Sequence, residues 1–144
     1  MAPERFLPFL EPAEESALLA AAAVKSFVRD EIVLEQSVSL RAIFVVDKGS
    51  VRVERREGDH VVTLAVLGPG QFFGEMSFMD GAPTSARVVA NAPTQVRMID
   101  TGIVDNLDDV DPSFGSRLYR SIGAILVERL RLTSMDVFIQ KPWV

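Results

Sequence analysis

Between Phe27 and Ile99 the chain never runs more than a few residues without a turn signal, and the runs between those signals are rich in Val, Ile and Phe. Each run is too short for a stable helix but long enough for a strand. Glu31–Glu35 is the first run. Ile43–Asp47 leads through Lys48-Gly49 into Val51–Arg55, where Val51 and Val53 alternate with Arg52 and Glu54. That alternation is the mark of a strand with one buried and one wet face. Glu57-Gly58-Asp59 forms a hairpin loop, and His60–Leu67 is the returning strand. Gly68-Pro69-Gly70 turns the chain again, Ser85–Ala90 supplies another strand, and Thr94–Ile99 closes the set. Short strands with turns this frequent predict a small barrel or roll.

The flanks have a different period. Pro12, tolerated in a first helical turn, and Glu14 and Glu15, which favour the positive end of a helix, predict a helix from about Pro12 to Lys25. Beyond Asp100, the acidic residues Asp105, Asp108, Asp109 and Asp111 read as a solvated loop and helix start, with Pro112 at the entry to the next helix. Leu118, Ile122, Ile125, Leu126, Val127, Leu130 and Leu132 then recur at helical spacing, so a final helix should reach about Phe138. The chain therefore divides into a helical segment 1–26, a β-roll 27–101, and C-terminal helices with a tail 102–144, together one domain. The last helix carries a broader apolar stripe than a free surface helix requires, which predicts contact with a second copy of the chain.

Composition removes several chemistries. With 144 residues, 48% apolar and 24% charged, the chain can bury a core of its own. It has no cysteine, so it has no disulfide, thiolate zinc site or cysteine nucleophile. Its one histidine, His60, cannot build the imidazole cluster that metal-dependent chemistry in cupin-like rolls requires, and it reads as a surface residue. No nucleophile–base–acid set is visible, so an enzyme is not expected. A net charge of −5 opposes nucleic acid at long range. The longest candidate for a membrane segment, the Ala/Leu run Ser16–Val24, is far shorter than the roughly 20 apolar residues a span needs. It is also preceded by acids, which a secretory leader is not. No membrane association and a cytoplasmic location are the expectations.

The most unusual stretch is Phe72-Phe73-Gly74-Glu75-Met76-Ser77-Phe78-Met79-Asp80-Gly81-Ala82-Pro83-Thr84-Ser85-Ala86. A glycine followed by an acid opens a short helical turn whose first N–H groups form an anion-binding nest. Glu75 is placed to accept from sugar hydroxyls, and Ser77, Thr84 and Ser85 offer hydroxyls nearby. On these residues, together with VLEQS, DKGSVRV, LAVLGPGQFFGEMSF and SIGAILVERLRLTS in that order, the chain resembles the cyclic nucleotide-binding domain family. The resemblance covers nearly the whole chain. It implies a mainly β fold with flanking helices: an eight-stranded, jelly-roll-like β-roll (a double-stranded β-helix) with an N-terminal helix and C-terminal helices. It also implies a cyclic nucleotide, cAMP or cGMP, as ligand, and a ligand-contacting set of Phe73, Gly74, Glu75, Met76, Ser77, Pro83, Thr84, Ser85 and Ala86.

Within that set the resemblance gives Gly74 and Glu75 the family's Gly-Glu, whose glutamate bonds the ribose 2′-hydroxyl. Ser77 falls where a small residue turns its backbone to the phosphate. Ser85 follows the position of the phosphate-binding arginine, and Ala86 is the small residue after it. Thr84 itself stands where the family has that arginine. Removing one partner of such a clasp costs about 2–5 kcal/mol, which takes a micromolar ligand toward roughly millimolar affinity. Arg87, three residues further along the strand, should face the other side of the sheet. Asp30 and Ser37 occupy positions where the family commonly has turn glycines.

Each of these residues also has a plainer reading. Gly74-Glu75 is either a sugar-hydroxyl site or an inherited turn, and Thr84 is either the wall of an adapted pocket or the mark of a lost site. Arg87 reads as a solvated strand residue paired with an acid rather than as a phosphate ligand. Arginines of the last helix balance the nearby aspartates or, less simply, touch nucleic acid, and Trp143 ends a tail that either lids the pocket or docks elsewhere. Two functions follow. One is a stand-alone sensor or regulatory domain with a degenerate phosphate site and reduced cyclic-nucleotide affinity, signalling through its C-terminal helix to itself as a homodimer or to a separate effector. The other is a ligand-free interaction or dimerisation module on the same fold.

Overall fold

The structure, a computed structural model, describes residues 7–140, with side chains up to residue 132. Trp143 and the rest of the tail beyond Gln140 lie outside the described residues, as does the lid role considered for them. In chain order the elements are α1 (Pro12–Ala21), β1 (Ala23–Phe27), β2 (Ile32–Leu34), β3 (Ala42–Lys48), β4 (Val51–Glu57), β5 (His60–Leu67), β6 (Phe72–Phe73), α2 (Glu75–Asp80), β7 (Arg87–Ala90), β8 (Thr94–Asp100), α3 (Thr101–Val110) and α4 (Phe114–Gln140). The strands form two four-stranded sheets, in the orders β1-β8-β3-β6 and β2-β7-β4-β5, with antiparallel pairing throughout. This is the expected eight-stranded roll with a leading helix and trailing helices.

β3 lies between two cores. Its even positions Ala42, Phe44 and Val46 face the space between the sheets, together with Leu34, Val51, Phe73, Val88 and Val96. Its odd positions Ile43 and Val45 face the helices, where Leu18, Phe72, Phe78, Ile99, Leu118 and Ile122 join them. A strand buried on both faces must be apolar throughout, which explains why Ala42–Val46 shows no alternation.

Three boundaries differ from the sequence expectation. The first helix ends at Ala21, because residues 23–27 pair with β8 in the register Ala23↔Met98 to Phe27↔Thr94. Ladder pairing there outweighs the helix propensity of the alanine run, and the roll begins inside the segment assigned to the helix. The acidic stretch is not a loop. It forms α3, capped by the Asp100 carboxylate on Ile103 N–H, with Val104 buried and most of its aspartates turned to water. Ser85 and Ala86 precede β7 rather than opening it, and the two-residue strand β6 was not expected from its own sequence.

Asp30 and Ser37 have φ of 70° and 62°, the left-handed conformation that a turn glycine would supply. The turn shapes are kept without glycine. Asp30 gains an ion pair with Arg52 at 3.0 Å, and Ser37 N–H donates to Thr84 O at 2.8 Å.

Candidate functional site

The short helix α2 fixes the site. Gly74, its N-cap, has φ of 84°, and a Cβ there would lie 2.6 Å from Ala42 O, so the backbone passes β3 at a distance only glycine allows. The preceding Phe73 stacks on Phe44 at 5.0 Å between ring centroids, which seats the turn on the inter-sheet core. At the other end of α2 the Arg41 guanidinium donates to Phe78 O at 2.8 and 3.2 Å, and Gly81 closes the helix in the left-handed conformation.

This turn, β2, the β4–β5 hairpin and the loop before β7 line a half-open cavity of about 290 Å³. Of the nine residues expected there, Phe73, Gly74, Glu75, Met76, Ser77, Thr84, Ser85 and Ala86 line it, and Pro83 does not. Most of the remaining lining is apolar: Leu34, Val53, Leu64, Ala65, Leu67, Phe72 and Val88. These residues come from strands far apart in sequence, and no local pattern marks their convergence.

Thr84 is buried and its hydroxyl serves the fold. Its Oγ1 donates to Glu35 O at 2.6 Å and accepts from Val38 N–H at 3.0 Å. Its main chain completes the bridge, donating to Val38 O at 2.9 Å and accepting from Ser37 N–H at 2.8 Å. A hydroxyl has one proton to give, so Thr84 presents no donor to a guest.

Arg87 lies on the other face of the sheet, as the two-residue period requires. It stands opposite Glu54 in the β4–β7 ladder and pairs with it at 3.3 Å, and Glu54 also accepts from Arg52 at 3.1 Å. Arg87 lines a surface depression with Glu35, Gln36, Ser37 and Arg56, not the cavity. His60 is exposed at the start of β5.

Among the described residues, the cation that reaches the cavity comes from the last helix. Arg129 of α4 places Nη1 3.5 Å from Glu75 Oε1 and Nη2 3.4 Å from Phe72 O, with its guanidinium 4.7 Å from the centroid of the Phe72 ring. This corrects the reading of the last-helix arginines as partners of the nearby aspartates. Arg117 keeps that role, bonding Asp111 at 3.1 Å and the Glu14 carboxylate at 2.6 Å. Helical spacing shows which residues share a face, but not which strand turn they meet across the fold. Burial pushes the Glu75 carboxyl above its ordinary range, while its own backbone N–H and the Arg129 charge pull the other way.

The family model of the cyclic nucleotide-binding domain matches residues 24–109. Cyclic GMP-binding protein C of Dictyostelium discoideum is 26% identical over 115 residues, which is 79% of this chain and 4% of that protein. The Cyclic AMP receptor protein of Thermus thermophilus is 44% identical over 57 residues, 39% of this chain and 26% of that one. The crystal structure of the Thermus thermophilus Catabolite Activator Protein superposes with a TM-score of 0.79 at 27% identity, covering 94% of this chain and 62% of that one. The chain thus spans only a small part of the curated relatives it matches.

Proposed function

Because this chain belongs to the cyclic nucleotide-binding domain family, we propose that it works as a sensor or regulatory domain whose phosphate seat has lost its grip, so that cyclic AMP or cyclic GMP binds weakly. The observation that carries this reading is Thr84, whose one hydroxyl proton is committed to Glu35 O while no arginine stands in its place. Glu75 keeps its position for a sugar hydroxyl, and Phe73, Met76 and Ser77 keep theirs around it. The signal leaves through α4, because Arg129 ties that helix to the cavity through Glu75 and Phe72. A guest that bonds Glu75 changes what Arg129 meets, and a ligand shifts α4 only to the extent that it favours one placement over the other.

Calorimetric titration of Thr84→Arg with cyclic AMP tests the reading. Affinity should rise tenfold or more over the native chain. Because that change also removes the Thr84 bonds, Ser85→Arg is the companion variant, adding a guanidinium at the cavity edge while leaving them in place. No gain in either folded variant would mean that the rest of the phosphate seat has drifted too.

The second reading, an interaction module that needs no ligand, is favoured by the exposed apolar side chains Val127, Leu130 and Leu132, 50%, 65% and 57% accessible on α4. Val127 and Leu132 border a groove completed by Ala124, Glu128 and Arg131. A second copy of the chain is the partner these exposed side chains fit in either reading, and no enzymatic step is part of them.

A further inference from the structure

We infer that the cavity beside Glu75 selects an uncharged small molecule with an apolar body and at least one hydroxyl, in preference to any anion. The inference deepens the proposed function and rests on it for the location of the site.

Size sets the first bound. At about 290 Å³ the cavity is near the small end of the range for ligand sites, roughly 300–1,000 Å³, and takes one compact molecule. Its walls set the second. Leu34, Val53, Leu64, Leu67, Phe73 and Val88 offer no polar side-chain atom, so the body of the guest must be apolar or aromatic.

Charge sets the third bound. Among the described residues, the charged side chains lining the cavity are Glu75 and Arg129, one of each sign and already facing one another. An anion seated there adds a negative charge beside a buried carboxylate. Drawing Arg129 over to that anion would leave Glu75, with only 12% of its side chain exposed, without its counter-charge. Thr84 offers the anion lone pairs and no proton. A neutral hydroxyl avoids this conflict. The Glu75 carboxylate has about four acceptor positions and uses few of them on Arg129 and its own N–H, so it accepts a donor from the guest while keeping the ion pair.

Adenosine and cyclic AMP form the matched probe pair, sharing base and sugar and differing by the cyclic phosphate. Titrated calorimetrically into the whole chain, adenosine should bind at least tenfold more tightly than cyclic AMP. Glu75→Ala should remove most of the adenosine binding, and Thr84→Arg or Ser85→Arg should reverse the preference. Cyclic AMP binding as tightly as adenosine, or no saturable adenosine binding, overturns the inference. If cyclic AMP is weak and adenosine no better, the inference falls and the weakened phosphate seat stands. A micromolar cyclic AMP constant removes the weakened seat itself.

Discussion

Arg129 of α4 and Glu75 of α2, 54 residues apart in sequence, both line the cavity and meet there at 3.5 Å. The pair joins the last helix to the turn that defines the site. The Arg129 charge holds the Glu75 carboxyl down against the larger upward push of burial. In Arg129→Ala, therefore, the Glu75 pKa should rise further, as read by carboxyl-carbon NMR titration. A carboxyl whose folded pKa is raised makes the fold lose stability as pH rises through the interval between its unfolded and folded values, and the variant widens that interval. A Glu75 pKa unchanged or lowered in the variant would mean that the pair does not form.

Thr84 is the hinge pin of the loop before β7. Thr84→Val keeps the shape but leaves Glu35 O without its donor and Val38 N–H without its acceptor. The loss should be about 2 kcal/mol in urea unfolding, within the range for stranding buried polar groups. An unchanged midpoint would mean that water or a rearranged loop replaces both bonds.

Gly74→Ala should be more damaging than its size implies. The left-handed backbone alone costs a non-glycine residue about 1–3 kcal/mol, and the added carbon meets Ala42 O at 2.6 Å. Thermal melting should show a drop of several degrees, while Gly58→Ala, where a Cβ meets nothing within 4 Å, should show a smaller one.

Glu14 and Arg117 pin α1 to the start of α4. Hydrogen bonds from Arg117 hold the Glu14 carboxyl down at about 2, against an ordinary 4.5. A depressed carboxyl stabilises the fold above its unfolded pKa and loses that contribution as pH falls from about 4.5 to 2. Glu14→Gln should cost about 1 kcal/mol at pH 7, a figure kept small by the pair's partial exposure. The gap between variant and native chain should close as pH approaches 2. A gap independent of pH would assign the effect to packing.

The exposed apolar side chains Val127, Leu130 and Leu132 of α4 should make the chain self-associate with rising concentration in sedimentation runs. Leu130→Asp should shift the mass to that of one chain. A monomer at all concentrations in the native protein would leave these side chains to a different partner.

Much of the roll could be read along the chain because its strands have local causes. His60–Leu67 is bounded by Gly58-Asp59 on one side and Gly68-Pro69-Gly70 on the other, and the observed strand has those limits. β1 was hidden because Ala23 and Val24 continue a helix-favouring run, and only pairing with β8 makes them a strand. β6 is two residues long and exists because Phe72 and Phe73 pair with Val45 and Phe44. In the site, residues next to the Gly-Glu turn were legible as a contiguous motif, Pro83 excepted. The apolar walls and Arg129 were not, because their convergence depends on how the two sheets and α4 close around one space.

The most direct test of the weakened phosphate seat is calorimetric titration of the native chain with cyclic AMP at neutral pH and moderate salt. The expected dissociation constant is near 1 mM, the micromolar value of an arginine-bearing site weakened by about 4 kcal/mol. A saturable constant of tens of micromolar or tighter would contradict it, because the cavity would then grip the phosphate without the arginine that Thr84 replaces.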